Sequence, residues 1–312
     1  MQLKDIIKPS LRFKLKTKII PDFLPKLDTN KKYQAEIWDD KTYKVDPQAH
    51  VFTTIQEHFG NRLIKSTRLS LNAVVVDVGC FIGEKLWQLK DNPKYLGIGV
   101  DISLPALKAA KNIDIYGHQF IAADMENLPF KNNSVDFVMV FDVIEHLSDA
   151  QKGFSEVARI LKPGGQFLLH IPISDNTWSL FWWKQQFFPT AAQKDYLDVG
   201  HAPERMLTRE QIRNHLSRHS LTLVQEIPYN SLLVHFWDRE FSRITAWLLT
   251  TLFRSGQTKS AVVRSVHTGS LGTTRAIYGK YIVPFLELIS FPDLLLSYFG
   301  IGNTCFFLAK KL

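Results

Sequence analysis

The hydrophobic positions between residues 73 and 171 fall into short apolar runs without alternating polar residues. Such runs, rich in β-branched residues, are typical of parallel strands that are buried on both faces of a sheet. They lie within 73–78, 95–100, 119–123, 135–147 and 166–171. Segments with helical periodicity near 104–112 and 151–161 separate some of them. The pattern predicts an α/β fold with five parallel strands.

A glycine-containing turn follows the first apolar run. Residues 74–83 read VVVDVGCFIG, so Gly79 and Gly83 stand where a missing Cβ would let a ligand approach the backbone at the carboxyl end of the sheet. The second run ends in Asp101, 18 residues beyond Gly83. That separation is close to the spacing of about 20 expected for a carboxylate that binds ribose hydroxyls. Together these features predict a nucleotide-binding edge.

Two helix boundaries are also marked in the sequence. The helix near 151–161 is expected to stop at LKPGG, where Pro163 cannot continue a helix and Gly164 or Gly165 can adopt the left-handed cap. Thr208 and Gln211 have the spacing of a capping box, which predicts the start of a helix after the fifth strand.

Five segments, in order, resemble the class I S-adenosylmethionine-dependent methyltransferases, in particular the group that includes the ubiquinone and menaquinone biosynthesis enzymes. They read DVGCFIG, GVDIS, AADMENLPF, NNSVDFVMVFDVIEHL and LKPGGQFLLHIP, and the resemblance covers roughly residues 74–225. It implies a Rossmann-like seven-stranded sheet of order 3-2-1-4-5-7-6, with the last strand antiparallel and helices on both faces. It also implies S-adenosyl-L-methionine as the cofactor.

The resemblance assigns the glycine turn and several carboxylates to the cofactor. Asp77, Gly79 and Gly83 would surround its methionine part, and Asp101 would bind both ribose hydroxyls. The cofactor-binding set predicted in this way is Asp77, Gly79, Cys80, Gly83, Asp101, Ile102, Asp124, Met125, Phe141 and Asp142, of which the last two would lie near the reactive methyl group.

Some of these residues also have a purely structural interpretation. Asp124 with Met125 matches the family's pair that flanks adenine, but a lone methionine is commonly core filler. Asp77 could instead accept hydrogen bonds from backbone amides of its turn, and Cys80 is interpreted as a packing residue and not a nucleophile. Where the family has glycine this chain has Phe81, and a Cβ disfavours positive φ. We therefore expect the turn to take another shape, with Phe81 tilted outward over the methionine part or toward the acceptor.

Methyl transfer from a sulfonium is an in-line displacement, so a base is needed only to remove the acceptor's proton. His146, just after the fourth strand, and His201, in a segment similar to the family's histidine-containing segment, are the candidate catalytic bases; His146 could equally hydrogen-bond to a neighbouring loop. Asp142, Glu145 and His146 also resemble an arrangement that binds a divalent cation in some quinone O-methyltransferases. Because the Glu-His pair is widespread in metal-free relatives, we predict no metal.

The family's sheet closes with an antiparallel hairpin, for which LTLVQEI at 221–227 and NTCFFLAKK at 303–311 are the candidates. The 75 residues between them are too long for a structureless loop. They contain two apolar helical elements around a polar, basic stretch, and charged residues and prolines interrupt both elements, so neither is expected to span a bilayer. The predicted division is a basic N-terminal extension (1–47), a cofactor-binding core (48–227) with an acceptor-side insertion (172–207), an apolar helical insertion (228–302) and a closing strand (303–312).

The chain is basic, with a formal net charge of +8 and a pI of about 9.3. Within the first twenty residues only Asp5 opposes the basic side chains, which are Lys4, Lys8, Arg12, Lys14, Lys16 and Lys18. This composition suits an anionic membrane surface. The apolar insertion could lie on that membrane, or it could pack on the sheet or in a dimer interface. No RNA-binding module is recognisable, so nucleic acid is not a predicted partner.

Two cysteines, Cys80 and Cys305, give no disulfide framework and suit a reducing compartment. The basic start lacks a sustained apolar core, so we expect a cytoplasmic protein that can bind peripherally to the cytoplasmic face of a membrane. The oligomeric state is not indicated. The expected function is methyl transfer to a hydrophobic, lipid- or quinone-like small molecule. Two alternatives remain open: a methyltransferase for a cell-surface glycan sugar, and a noncatalytic, membrane-associated assembly factor.

Overall fold

The computed structural model describes residues 2–11, 20–24, 54–198, 201–241 and 282–312. Within these ranges seven strands form one sheet in the order β3-β2-β1-β4-β5-β7-β6. Strands β1 to β5 are parallel, and β7 is antiparallel to both of its neighbours. The strands are β1 Val74–Val78, β2 Leu96–Asp101, β3 Gln119–Ala122, β4 Val135–Phe141, β5 Leu161–Pro172, β6 Leu221–Tyr229 and β7 Thr304–Lys311. The predicted fold class and strand order are confirmed.

Helices cover both faces of the sheet, as the side chains of β1 demonstrate. Val74 and Val76 enter one apolar cluster, whereas Val75 enters another, which contains Ile64. Because successive side chains of a strand point to opposite faces, a fully apolar β1 requires cover on both sides. The α-helices of seven or more residues are α1 Ile55–Ser66, α2 Leu104–Ile113, α3 Ala150–Ile160, α4 Leu180–Phe187, α5 Pro189–Asp198, α6 Arg209–Arg218, α7 Val283–Ile289 and α8 Pro292–Tyr298. The predicted capping box of Thr208 and Gln211 opens α6.

The LKPGG segment differs from its prediction. Helix α3 ends at Ile160, and Leu161 is already extended at φ −63° and ψ 137°. Pro163 therefore lies inside β5 instead of stopping the helix. Gly164 does adopt a positive φ, 77°, but at the irregular start of β5, where the register with β4 shifts. The helix thus ends where the sequence predicted, at the start of LKPGG, but the prediction that Gly164 or Gly165 caps it in the left-handed conformation was wrong.

The predicted N-terminal extension contributes to the core in its described parts. Ile6 and Ile7 are buried, and Lys8 N donates to Pro129 O at 2.9 Å. Phe23 is also buried, and its N–H donates to Ala122 O at 2.7 Å, which adds a short bridge beyond the edge strand β3. The basic residues at positions 12–18 lie outside the described residues.

The described parts of the long insertion are short helical pieces. After β6 come a single α-helical turn, Leu233–His235, and a π-helical segment, Phe236–Phe241. Helices α7 and α8 precede β7, and the predicted polar, basic stretch between the two apolar elements lies outside the described residues. Among the described helices, not one combines the length and the apolar character that crossing a bilayer requires.

Candidate active site

The turn after β1 can be built only with glycine at two positions. Gly79 has φ 76°, and a Cβ added there would lie 2.1 Å from Cγ2 of Val143. Gly83 has φ 82°, and its added Cβ would lie 2.8 Å from Cε1 of Phe120. Both positive φ and neighbouring side chains therefore exclude a larger residue. The turn is anchored to β2, because the N–H of Gly79 donates to Val100 O at 2.7 Å.

Phe81 contradicts the expectation for this turn. It adopts φ 50° despite its Cβ, so the turn keeps the positive φ that glycine would have supplied. Its N–H donates to Oδ2 of Asp101 at 2.8 Å, and its ring packs on the cluster that contains Cys80 and Phe120. The expected outward tilt was therefore wrong. The hydrogen bond and the packing offset a conformational penalty of about 1–2 kcal/mol for a non-glycine residue in the left-handed region.

Asp77 is a buried carboxylate whose two oxygens have no hydrogen-bond partner within the described part of the chain. Burial raises its pKa to about 7; Lys85 acts in the opposite direction, and Asp101 adds to the rise. The alternative in which Asp77 satisfies amides of its own turn finds no support in this geometry. A buried carboxylate without a partner is expensive unless a cation or a donor completes it. The residue therefore fits a site for a positively charged ligand group.

Asp101 and Asp124 stand at the carboxyl ends of β2 and β3. Asp101 accepts from Phe81 N and, through Oδ1, from Ser103 N at 2.8 Å, and burial raises its pKa. A carboxylate oxygen has two lone pairs, so these bonds leave room for ribose hydroxyls. Asp124 is buried, and its Oδ1 accepts from Glu126 N at 3.0 Å. Ile102 lies half-buried directly after Asp101.

Met125 and Cys80 occupy packing positions. Met125 is buried in the main core, beside Gly153 of α3, where an added Cβ would meet its Cε at 3.4 Å. That location fits the core interpretation of Met125 better than contact with adenine. Cys80 is buried too, and burial raises the pKa of its thiol well above the usual value, as expected for a packing residue.

Phe141 and Asp142 lie at the end of β4, among residues that the sequence did not single out. Asp142 has φ 54°, and its Oδ1 lies 2.9 Å from Nδ1 of the buried His170. The side chain of Asp142 is half-exposed, and the neighbouring His170 and Lys85 hold its pKa below the usual value. Lys85 Nζ also lies 4.8 Å from the centre of the Phe141 ring. Lys85 lies outside the segments that carry the family resemblance, and His170, although it lies within one of them, was not assigned a role.

The two candidate bases are brought together next to Glu145. The rings of His146 and His201 are 5.0 Å apart, and Nε2 of His201 lies 3.5 Å from Oε1 of Glu145. Burial and the neighbouring Asp142 raise the pKa of Glu145 well above its usual value. Burial and His146 lower the pKa of His201 to about 4, so its imidazole is neutral at pH 7.

The same three side chains offer one ligand atom each, all within 4.8 Å of one another, which is an arrangement that can hold a divalent cation. This group differs from the one suggested by the sequence, because Asp142 pairs with His170 and His201 takes its place.

Residues 76–169 match a family model described as a methyltransferase domain. Malonyl-[acyl-carrier protein] O-methyltransferase of Hahella chejuensis is 28% identical over 160 residues, covering 51% of this chain and 54% of that protein. The tRNA (carboxymethyluridine(34)-5-O)-methyltransferase of Arabidopsis thaliana is 30% identical over 132 residues, covering 39% of this chain and 31% of that protein. The chain thus spans about half or less of the length of these curated relatives.

A solved structure is similar over most of the chain. Phosphoethanolamine N-methyltransferase 2 of Haemonchus contortus, in complex with S-adenosyl-L-methionine, has a TM-score of 0.57 and 20% identity, covering 92% of this chain and 60% of that one. Similarity at this identity establishes the fold alone. The family model spans the glycine turn and the first five strands, and the sheet has the order that the family resemblance implies. These findings support a class I S-adenosylmethionine-dependent methyltransferase domain in residues 76–169 of this chain.

Proposed function

We propose that the protein transfers a methyl group from S-adenosylmethionine to a hydrophobic, lipid- or quinone-like small molecule. The observation that carries the donor half of the proposal is Asp77, a buried carboxylate without a partner in the described structure, placed directly before the glycine turn. The methionine part of the cofactor carries an ammonium group, which supplies the missing cation. Gly79 and Gly83 leave the backbone open to its approach.

The nucleoside part of the cofactor has its own acceptors along the same edge. Asp101 would accept hydrogen bonds from the ribose hydroxyls while it still accepts one from the Phe81 amide. Asp124 would accept a hydrogen bond from the adenine amine. Since β1, β2 and β3 are adjacent and parallel, the three carboxylates succeed one another along the carboxyl edge of the sheet.

The proposal of a hydrophobic acceptor rests on exposed aromatic residues in the segment that follows β5. The segment after β5 exposes Trp178, Trp183 and Phe187, and the rings of Trp183 and Phe187 stack at a 5.6 Å centroid distance. Such aromatic surfaces suit an isoprenoid or ring-containing acceptor better than a highly charged one.

In the transfer we favour O-methylation: the bond between the methyl carbon and sulfur breaks, a bond from that carbon to an acceptor oxygen forms, and the sulfonium becomes a neutral thioether. The acceptor's hydroxyl proton then needs a base. His146 and His201 are neighbours and are the candidates for this base. Burial lowers the pKa of His201 to about 4 and so makes it a weak base, which favours an acceptor whose hydroxyl is itself acidic, such as a phenol. Most of the rate enhancement would come from alignment of the two substrates.

Donor binding is tested by calorimetric titration of the full chain with S-adenosylhomocysteine. We expect Asp101→Asn to weaken binding at least tenfold, because one acceptor oxygen becomes an amide donor. Asp91→Asn, at an exposed position away from the site, should bind like the parent. Absence of binding by the parent would refute the donor assignment.

The acceptor class is tested with S-adenosylmethionine carrying a labelled methyl group, incubated with the protein and either a lipid extract, total tRNA or isolated glycans. We expect label in the organic phase, on a product one CH₂ heavier than its precursor. tRNA is the second candidate, because one reported relative is named for a tRNA uridine. Label in tRNA or in glycan would replace the lipid acceptor. Cofactor binding without transfer to any fraction would favour the noncatalytic assembly factor.

A further inference from the structure

Helices α7 and α8 have their apolar residues turned outward. In α7 the exposed positions Phe285, Leu288 and Ile289 have the spacing i, i+3, i+4 of one helix face. In and around α8 the exposed apolar residues follow the same spacing. The outer apolar face consists of Phe285, Leu288, Ile289, Phe291, Leu294, Leu295, Tyr298 and Phe299, of which Tyr298 is 86% and Phe299 74% exposed. An apolar stripe of this kind on a soluble protein usually marks an interaction surface.

The acidic side chains of the same segments point the other way. Asp293 of α8 is buried, and its carboxylate accepts three backbone hydrogen bonds at 3.0 Å from the start of the Leu233–His235 turn. Asp238 accepts from Ile55 N and Gln56 N, at 2.7 and 3.0 Å, where α1 begins. Asp293 therefore connects two parts of the insertion, and Asp238 connects the insertion to α1 of the core.

The remaining two acids are paired with basic side chains. Glu287 of α7 lies 2.6 Å from both His58 Nδ1 and Arg62 Nη2 of α1. Glu240 accepts from Lys184 Nζ at 2.7 Å. Within residues 228–241 and 282–302, which are the described part of the insertion, all four carboxylates thus have partners inside the protein. The outer apolar face carries no acidic group that would repel an anionic surface.

This face lies at the same edge of the sheet as the proposed active site. Strand β5 ends at Pro172 and β6 at Tyr229, and both ends are paired through Thr304, where β7 begins. Hydrogen bonds join the segments that leave this edge: Leu180 N donates to Ser231 O at 2.8 Å, and Ser231 Oγ donates to Ile301 O at 2.7 Å. The segment with the exposed Trp178 and Trp183 is therefore held to the base of α8.

We propose that the outer apolar face is the surface by which this protein lies on an anionic lipid bilayer. Tryptophan and tyrosine favour the depth of the lipid headgroups, while phenylalanine and leucine enter the acyl boundary. The sequence that links Phe241 to α7, residues 242–281, contains six basic and no acidic residues. Anionic lipids attract such segments.

Charge also decides between a bilayer and a second copy of this chain. Each copy has a formal net charge of +8, so association of two copies opposes like charges, whereas an anionic bilayer complements them. The docking surface stands whatever the protein methylates. If the proposed lipid acceptor is also correct, the same contact would deliver that acceptor from the bilayer to the active-site edge.

The test is flotation of the full chain with vesicles of equal parts phosphatidylcholine and phosphatidylglycerol, compared with pure phosphatidylcholine. We expect binding to the anionic vesicles that weakens as salt is raised, because screening reduces the attraction. Leu288→Glu should weaken binding about tenfold, since a leucine that no longer enters the bilayer loses its transfer free energy. The matched control is Leu71→Glu, which replaces an equally exposed leucine, 68% against 70%, before β1 at the opposite end of the sheet.

Calorimetry with S-adenosylhomocysteine on the same proteins separates this proposal from the enzymatic one. Both variants should bind it like the parent, which also demonstrates that they are folded; Phe299→Glu repeats the test at an independent exposed position. The docking proposal is overturned if the parent floats with neither vesicle, if Leu71→Glu loses as much binding as Leu288→Glu, or if the parent is a dimer that Leu288→Glu dissociates. Flotation of a parent that does not bind the cofactor analogue would overturn the proposed function alone.

Discussion

Replacing Gly79 with alanine tests the steric logic of the cofactor turn, because the chain contains a matched glycine. Gly79 and Gly117 have nearly the same φ, 76° and 80°, but their surroundings differ. A Cβ at Gly79 would lie 2.1 Å from Cγ2 of Val143, whereas a Cβ at Gly117 would meet nothing within 4 Å. The two alanine substitutions therefore share the conformational penalty and differ only in the clash.

The magnitudes follow from that difference. Gly117→Ala should lower the free energy of unfolding by about 1–2 kcal/mol, the penalty of a left-handed backbone with a Cβ. Gly79→Ala should lower it by a further ~1–3 kcal/mol because the added methyl group overpacks against Val143. Adding Val143→Ala to Gly79→Ala removes the clashing methyl group. The double variant should regain most of the stability lost to the clash, after correction for the effect of Val143→Ala alone.

Urea denaturation measures the free energy of unfolding of each variant. Calorimetry with S-adenosylhomocysteine measures whether the turn still supports cofactor binding. We expect Gly79→Ala to lose at least tenfold in affinity and Gly117→Ala to lose none, since Gly117 follows α2 at the far end of the sheet. Equal destabilisation by the two substitutions would refute the reasoning, because it would mean that Val143 yields freely. Unchanged affinity in Gly79→Ala would separate the turn from the cofactor.

Three further predictions concern the same edge. At Phe81, the usual preference for alanine should invert: Phe81→Gly should be about 1 kcal/mol more stable than Phe81→Ala, because both lose the ring but only alanine keeps a Cβ at φ 50°; denaturation that ranks alanine higher would contradict the positive φ. Folding lowers the pKa of His201 from 6.5 to about 4, so between these pH values the unfolded state binds more protons than the folded state. The free energy of unfolding should therefore decline by about 3 kcal/mol as pH drops from 6.5 to 4. Folding raises the pKa of Asp77 to about 7, so its contribution should make the free energy of unfolding decline as pH rises from 4 to 7. His201→Gln and Asp77→Asn should each remove their own slope from a series of unfolding curves, and an unchanged slope in either would contradict the burial of that group. Methyl transfer should be insensitive to a chelator, and activity that is lost with EDTA and restored by Mg²⁺ would instead assign a cation to Glu145, His146 and His201.

The sequence could predict the sheet because its strands are locally distinctive. The five residues of β1 are all buried, so its unalternated apolar pattern has one interpretation. The strand that closes the sheet, β7, was placed by resemblance and not by pattern, since 75 residues separate it from its hairpin partner. LKPGG was misassigned because a proline and a positive-φ glycine serve a helix end and an irregular strand start equally well.

Side-chain pairings across the fold could not be read from the sequence. His170 meets Asp142 only because β4 and β5 are neighbours, and His201 meets Glu145 through a segment that follows α5. The direction of the outer apolar face was also hidden, because an apolar stripe at helical spacing is the same in sequence whether it faces the core or the solvent. The buried carboxylates, such as Asp293, reveal the direction only once their partners are known.

The turn after β1 combines two features that sequence rules disfavour, and this combination supports its role in binding. Asp77 is a buried carboxylate without a partner in the described structure, and Phe81 has a positive φ. Each feature lowers the stability of the ligand-free protein, and such destabilising features are typical of functional sites. A cofactor ammonium beside Asp77 would relieve the first, and as a cation it would lower the raised pKa of that carboxyl and release its proton. Affinity for the cofactor should therefore rise as pH increases toward 7, while the stability of the ligand-free protein declines over the same range. Opposite pH trends in binding and stability are therefore expected if Asp77 binds the cofactor's cation, whereas a buried carboxylate that does not bind the cofactor would produce the trend in stability without the trend in binding.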